Sequence, residues 1–183
     1  MLSLGLSCVP FVTHDIAGFS GGPSTKELFL RWTELGAFTP IMRTHEGGKK
    51  FENWSWEKDA ETTAHFRRFA RIHQVLAPEI RALAEEAART SLPIVRHLML
   101  VFPDDPASRA VSDQFMLGDS LLVAPVVEEG AVKRSVYLPP GTWFDVWSGA
   151  SLEGGRTVEV AAPIGRPPVF SRGADRADLR AVE

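Results

Sequence analysis

Residues 9–19 read Val9-Pro10-Phe11-Val12-Thr13-His14-Asp15-Ile16-Ala17-Gly18-Phe19. Residues 9–13 are apolar and rich in β-branched side chains, which predicts a short strand. The run stops at His14-Asp15 and a glycine-rich turn over residues 18–22. Ser24-Thr25-Lys26-Glu27 then has the capping-box pattern that opens a helix. Leu28, Phe29, Trp32 and Leu35 follow at helical spacing, and Gly36 is the stop. Residues 38–44 predict a second strand, followed by a polar loop over residues 46–58. From residue 59 to about residue 90, Phe66, Phe69, Ile72, Leu76, Ile80, Leu83 and Ala87 recur every three or four positions, the pattern of a long amphipathic helix. Pro78 in its middle predicts a kink or two abutting helices.

The chain changes character near residue 95. Residues 93–102, 114–127, 133–138, 143–147, 157–161 and 168–171 are short, β-favouring runs separated by turn signals such as Pro139-Pro140-Gly141 and Glu153-Gly154-Gly155. This spacing predicts a small β-sandwich, with a charged, frayed tail after Arg172. Alternating strand and helix in the first half and strands alone in the second give a mixed fold class, α/β plus all-β. Two strand–helix units cannot close a barrel or cover both faces of a parallel sheet, so the first half reads as a piece of a larger β/α architecture. The expected boundaries are 1–92 for the β/α part, 93–172 for the sandwich and 173–183 for the tail.

Composition excludes several function classes. With 183 residues, 44% hydrophobic and 23% charged, the chain has the balance of an ordinary globular domain. A net charge of −3 with scattered Lys and Arg offers no nucleic-acid surface. The longest apolar stretches, such as residues 98–102, are far too short to span a membrane. The apolar N-terminus lacks a basic segment and a cleavage site, so it is a poor signal peptide. Cys8 stands alone, which rules out an internal disulfide or a cysteine metal cluster and fits a reducing cytoplasm. His65 and His73, eight apart on the long helix, read as packing or surface residues rather than metal ligands.

Asp15 falls at the C-terminal end of the first predicted strand, and Arg43 and His45 at the end of the second. In parallel β/α architecture the site gathers at strand C-terminal ends. Residues 43 and 45 are two apart and point to one side of a strand. A carboxylate that accepts from hydroxyls, a guanidinium that donates in a fixed fork and an imidazole that does either can together grip several sugar hydroxyls. Taken singly, each has a plainer reading, as a turn-making aspartate or an ion-paired strand end.

His14-Asp15-Ile16-Ala17-Gly18-Phe19 resembles the H-D-I-G-G-F element of family 31 glycoside hydrolases, and Met42-Arg43-Thr44-His45 is similar to that family's M-R-x-H strand end. Residues 27–32 and 36–40 look like the helix and strand between them. Farther on, Phe102-Pro103-Asp104-Asp105, residues 114–119, 122–126 and 137–143, and Ala162-Pro163-Ile164 are similar to its β-sandwich. The resemblance runs from about residue 4 to about residue 172. It implies a C-terminal slice of a (β/α)8 TIM barrel followed by a small β-sandwich. The implied activity is a retaining α-glycosidase of the α-glucosidase kind, with two carboxylates about 5 Å apart as nucleophile and acid/base. Both carboxylates are expected upstream of Met1, so no catalytic residue is assigned within this chain. The positions matching Asp15, Phe19, Arg43 and His45 hold the sugar in that family, and Trp54 is a candidate pocket wall. No metal or organic cofactor is implied, and the expected partner is a carbohydrate.

Two departures stand out. Ala17 replaces a glycine, which a turn absorbs if φ is negative there. Val12 stands where an aromatic is common, so one stacking surface is lost. Arg43-Thr44-His45-Glu46-Gly47, Asn53-Trp54 and residues 162–170 look like the branch that includes sulfoquinovosidases. Those enzymes typically carry a tyrosine where this chain has Phe19, and a phenyl ring cannot donate its hydrogen bond to a sulfonate. A neutral α-glucoside is therefore the expected substrate, with a sulfoquinovoside or an α-xyloside as alternatives. A non-catalytic carbohydrate-binding module is the reading from another class.

Overall fold

The computed structural model describes residues 1–47 and 51–183; residues 48–50 of the predicted loop lie outside the described residues. The first half is helical. A short N-terminal helix α1 (Leu2–Leu6) precedes the helix α2 (Lys26–Gly36) and the long helix α3 (Ala60–Thr90). α2 starts one residue later than the capping-box pattern places it. Thr25 is the cap, accepting from the Leu28 N–H at 3.2 Å. The box does not close, because Leu28 stands three residues beyond this cap; Glu27 Oε1 instead accepts from the Gly130 N–H at 2.8 Å. α3 begins at Asp59, whose carboxylate accepts from the Thr62 N–H at 2.7 Å. It runs as one helix through Pro78, not as two abutting helices. Pro78 and Gln74, whose carbonyl loses its partner, both lie on the solvent face, where water can satisfy that carbonyl.

The two predicted strands of this half form no ladder. Residues 9–13 and 38–44 run alongside each other in the same direction, tied by Thr13 Oγ1 donating to the Ile41 carbonyl at 3.0 Å and by the Ile16 N–H donating to the Arg43 carbonyl at 3.0 Å. Pro10 and Pro40 each remove a backbone donor, and a ladder needs a regular row of them.

The second half is built on a six-stranded antiparallel sheet with the strands β1 (Val95–Arg96), β2 (Phe115–Leu117), β3 (Leu121–Val123), β5 (Thr142–Asp145), β6 (Ser151–Glu153) and β8 (Val169–Arg172), in the order β1-β2-β3-β8-β5-β6. The strands β4 (Lys133–Leu138) and β7 (Arg156–Ala161) pair separately as a ribbon. The predicted run at 93–102 divides: only Val95–Arg96 pairs, and Leu98–Val101 forms a single helical turn, α4, capped by His97. A short continuous apolar run carries no period that separates the two states. The run at 114–127 breaks into the hairpin β2–β3 at Gly118, with φ of +57°. β6 carries one apolar residue in three and escapes the pattern.

Period two sorts the core. Phe115, Leu117, Leu121, Val123 and Val169 face Ile72, Leu76 and Ile80 of α3. Met116, Leu122 and Phe170 point the other way, into a cluster with Val136, Leu138 and Trp143. Each fully buried aliphatic contributes about 1.5–3 kcal/mol of transfer free energy. The sheet is thus filled on both faces, by α3 and by the ribbon. The tail is packed rather than frayed: the helix α5 (Ala177–Arg180) buries Leu179 completely in the α3 side of the core. Arg176 there bridges to Glu79 of α3 at 3.0 Å.

A buried polar joint ties α2 to the sandwich. Arg31 Nη2 donates to the carbonyls of Ala131 and Ala162, both at 2.8 Å. Glu34 accepts from Arg31 at 3.2 Å and from the Gly165 N–H at 2.6 Å. Burial pushes the Glu34 carboxyl up to about 7, against the pull of the Gly165 N–H and the Arg31 guanidinium. His65 of α3, 3.8 Å from Glu34, is pushed down to about 4 by burial.

Candidate functional site

The site residues are set by the turn that follows residues 9–13. The Gly18 N–H closes back on the Asp15 carbonyl at 2.9 Å, with Ala17 at φ +69° and Gly18 at +90°. The condition under which the turn absorbs Ala17 without strain, a negative φ, is not met: the left-handed region is occupied at both positions, one of them by alanine. The Ile16–Arg43 backbone bond registers the two extended segments so that Arg43 Nε donates to Asp15 Oδ1 at 2.5 Å. This bond holds the carboxylate in one orientation, and its second oxygen is available to accept.

Phe19 stacks on His45, with ring centroids 5.2 Å apart and planes 13° from parallel. The Gly47 N–H donates to the Phe19 carbonyl at 3.0 Å, and a Cβ on Gly47 would collide with the Phe19 ring. The stack thus depends on a residue without a side chain at position 47. The four candidates come together as two pairs, Asp15 with Arg43 and Phe19 with His45. Among the described residues, no hydrogen bond joins His45 to the ion pair. Trp54 sits apart from both, with its indole N–H donating to Thr62 Oγ1 at 3.1 Å and Lys26 Nζ over its ring at 5.8 Å.

Behind His45 lies a cavity of about 310 Å³, to which His45 and Trp54 contribute while Asp15, Phe19 and Arg43 do not. Asn53 and Trp56 also line it. Asn53 stands in the sequence analysis only as part of the stretch that resembles the sulfoquinovosidase branch, and Trp56 is absent from it, although the Trp54-Ser55-Trp56 spacing is visible in the chain. His14 is a further polar group at the turn. Trp32 Nε1 donates to its Nδ1 at 2.7 Å, which puts the imidazole proton on Nε2, a buried nitrogen with no partner among the described residues. Burial lowers the His14 pKa.

Residues 1–83 match the model of the glycosyl hydrolases family 31 TIM-barrel domain, and residues 91–175 match that of the glycosyl hydrolase family 31 C-terminal domain. The chain belongs to glycoside hydrolase family 31. The sulfoquinovosidase of Agrobacterium fabrum is 43% identical over 100% of this chain and 28% of its own length. Alpha-glucosidase 2 of Bacillus thermoamyloliquefaciens is 33% identical over 92% of this chain and 21% of its own. Among solved structures, a family 31 sulfoquinovosidase from E. rectale in complex with an aza-sugar inhibitor superposes with a TM-score of 0.91 at 34% identity. That match covers 98% of this chain and 27% of the other. The chain therefore spans about a quarter of the length of these relatives. Its architecture is a slice of the family 31 barrel followed by the C-terminal sandwich, and the family's members are glycoside hydrolases. No described helix is long and apolar enough to cross a membrane.

Proposed function

We propose that this region holds the sugar in a retaining α-glycosidase that hydrolyses α-glucosides. Asp15, Arg43 and His45 bind hydroxyls, and Phe19 and Trp54 shape the walls. The observation that supports this most is the Asp15–Arg43 pair at the turn, an oriented acceptor beside a guanidinium donor at the positions where family 31 enzymes grip the cleaved sugar. The boundary between barrel part and sandwich is placed at residues 92/93. Because the chain spans about a quarter of its relatives, hydrolysis is assigned to a protein that also carries the barrel strands with nucleophile and acid/base. A retaining mechanism needs two carboxylates about 5 Å apart, and Asp15 is committed to Arg43. The exposed, unpaired Cys8 is in keeping with a cytoplasmic location.

Phe19 favours a neutral glucoside, since its ring offers stacking and no hydroxyl to a sulfonate. The likeness to two sulfoquinovosidases favours the alternative, an α-sulfoquinovoside. Titration of the chain with methyl α-glucoside and methyl α-sulfoquinovoside, followed by saturation-transfer NMR, separates the two. The expected result is preferential binding of the glucoside, lost in Asp15→Ala, with no p-nitrophenol released from an aryl α-glucoside above a boiled control. Turnover by the chain, or binding indifferent to Asp15, would overturn the assignment.

A further inference from the structure

We propose that His14 is a positioning residue for sugar binding: by accepting a hydrogen bond from Trp32 it moors the turn that follows it to α2, and so keeps Asp15 aimed at Arg43 and the sugar; the inference rests on the function proposed above. His14 and Asp15 are neighbours in the chain, and along an extended stretch neighbouring side chains point to opposite sides. Here the His14 imidazole is taken by α2, with Trp32 Nε1 donating to Nδ1 at 2.7 Å, and the Asp15 carboxylate by Arg43. The two rings of the first pair lie 5.8 Å apart, tilted by 42°. Among the described residues, this is the one side-chain hydrogen bond that runs from residues 9–19 to α2.

The turn needs such an anchor. Ala17 holds a φ of +69°, and strained backbone persists only where its surroundings over-determine it. The Gly18–Asp15 and Ile16–Arg43 bonds act on the main chain, and the Ile16 side chain packs against Gly36 at the end of α2. The His14–Trp32 bond adds a directed tie at the residue next to Asp15. Its chemistry is selective. An indole N–H only donates, so Nδ1 is bare and the proton sits on Nε2. Burial lowers the His14 pKa, against the Asp15 carboxylate, which raises it, so the ring is neutral near neutral pH and Nδ1 is free to accept. The Nε2–H that results is buried and has no partner among the described residues, which is destabilising. A residue kept for packing alone would not carry that orphaned donor; here it accompanies the Nδ1 acceptor. Such breaches of a local rule are expected where function overrides stability.

The test is an NMR titration of the whole chain with methyl α-glucoside at neutral pH, unchanged and as His14→Ala, His14→Asn, Trp32→Phe and Asp15→Ala. Far-UV circular dichroism confirms that each variant is folded; Trp32→Phe keeps an aromatic ring and removes the donor, so it is the variant least prone to unfold. His14→Ala and Trp32→Phe should each weaken binding about tenfold, the effect of one hydrogen bond. The double variant should be no weaker than either single one. His14→Asn, whose Oδ1 can stand where Nδ1 stood, should recover most of the affinity. A purely structural role would change the folded fraction and leave the affinity of the folded protein as it was. Long-range proton–nitrogen spectra should show His14 as the Nε2–H tautomer. An Nδ1–H tautomer, or an affinity in His14→Asn as low as in His14→Ala, would overturn the positioning role. So would full affinity in His14→Ala and Trp32→Phe while Asp15→Ala loses binding, and each of these results leaves the proposed function standing. No binding by the unchanged chain, or binding indifferent to Asp15→Ala, would overturn both.

Discussion

Ala17 is 8% exposed and holds a φ of +69°, a conformation that costs an L-residue about 1–2 kcal/mol. Glycine removes that strain and adds back some backbone entropy in the unfolded chain. Ala17→Gly should therefore stabilise the protein by a net amount on the order of 0.5 kcal/mol, read as a higher urea midpoint at unchanged slope. A lower midpoint would mean that the buried methyl group outweighs the strain. Gly47 is the converse case. A methyl group there has no room beside the Phe19 ring, but that ring is 49% exposed and can swing away. Gly47→Ala should leave the fold intact and break the Phe19–His45 stack, worth about 0.5–1.5 kcal/mol. The loss should appear as a downfield move of the His45 ring protons and weaker sugar binding. Both effects were hidden in the chain: a sequence shows that a glycine is replaced, whereas the sign of φ follows from the turn it must close.

At the scale of elements, the helices were legible because their signals are local. The three-to-four spacing of Phe69, Ile72, Leu76 and Ile80 is the buried stripe of α3, and Asp59 caps it where the apolar period begins. The start of α2 was misplaced by one residue. Ser24 and Thr25 are both good caps, and the choice falls to Thr25 because Ser24 Oγ accepts from the Trp54 N–H at 2.9 Å. Thr25→Ala should destabilise the protein by about 1 kcal/mol, measured by chemical denaturation. Ser24→Ala should leave the helix start alone and loosen the loop at Trp54, seen as faster exchange of the Trp54 amide. The strands were less legible. Central strands such as β2 and β3 are buried on both faces, so they show no alternation in the sequence.

At the scale of the molecule, the joint between α2, α3 and the sandwich sets a pH response. Burial raises Glu34 to about 7, so its stabilising contribution is complete below the ordinary carboxylate value near 4.5 and is lost as pH rises through 7. Burial lowers His65 to about 4, so its contribution is present above 6.5 and is lost as pH falls toward 4. Between pH 4.5 and 6.5 the two slopes oppose each other. Arg31, Arg68 and Glu61 also face the pair, and Arg166 acts through Arg68. His65→Gln removes one slope, so the variant should gain stability relative to the unchanged chain as pH falls from 7 to 4.5. Urea midpoints measured across that range check it, and a flat profile in the variant would count against a buried, proton-binding Glu34.

By itself the sequence determined the helices, the turns, the mixed α/β and all-β character and the residue types gathered at the turn after position 15. These depend on caps, periods and turn chemistry that act within a few residues. Only the tertiary structure decided that residues 9–13 and 38–44 stay extended without a ladder, that the tail docks on α3, and that Asp15 meets Arg43 while Phe19 meets His45. Those outcomes rest on where a backbone donor, a buried apolar face or an ion finds its partner. The partners lie tens of residues away, beyond the reach of any local preference.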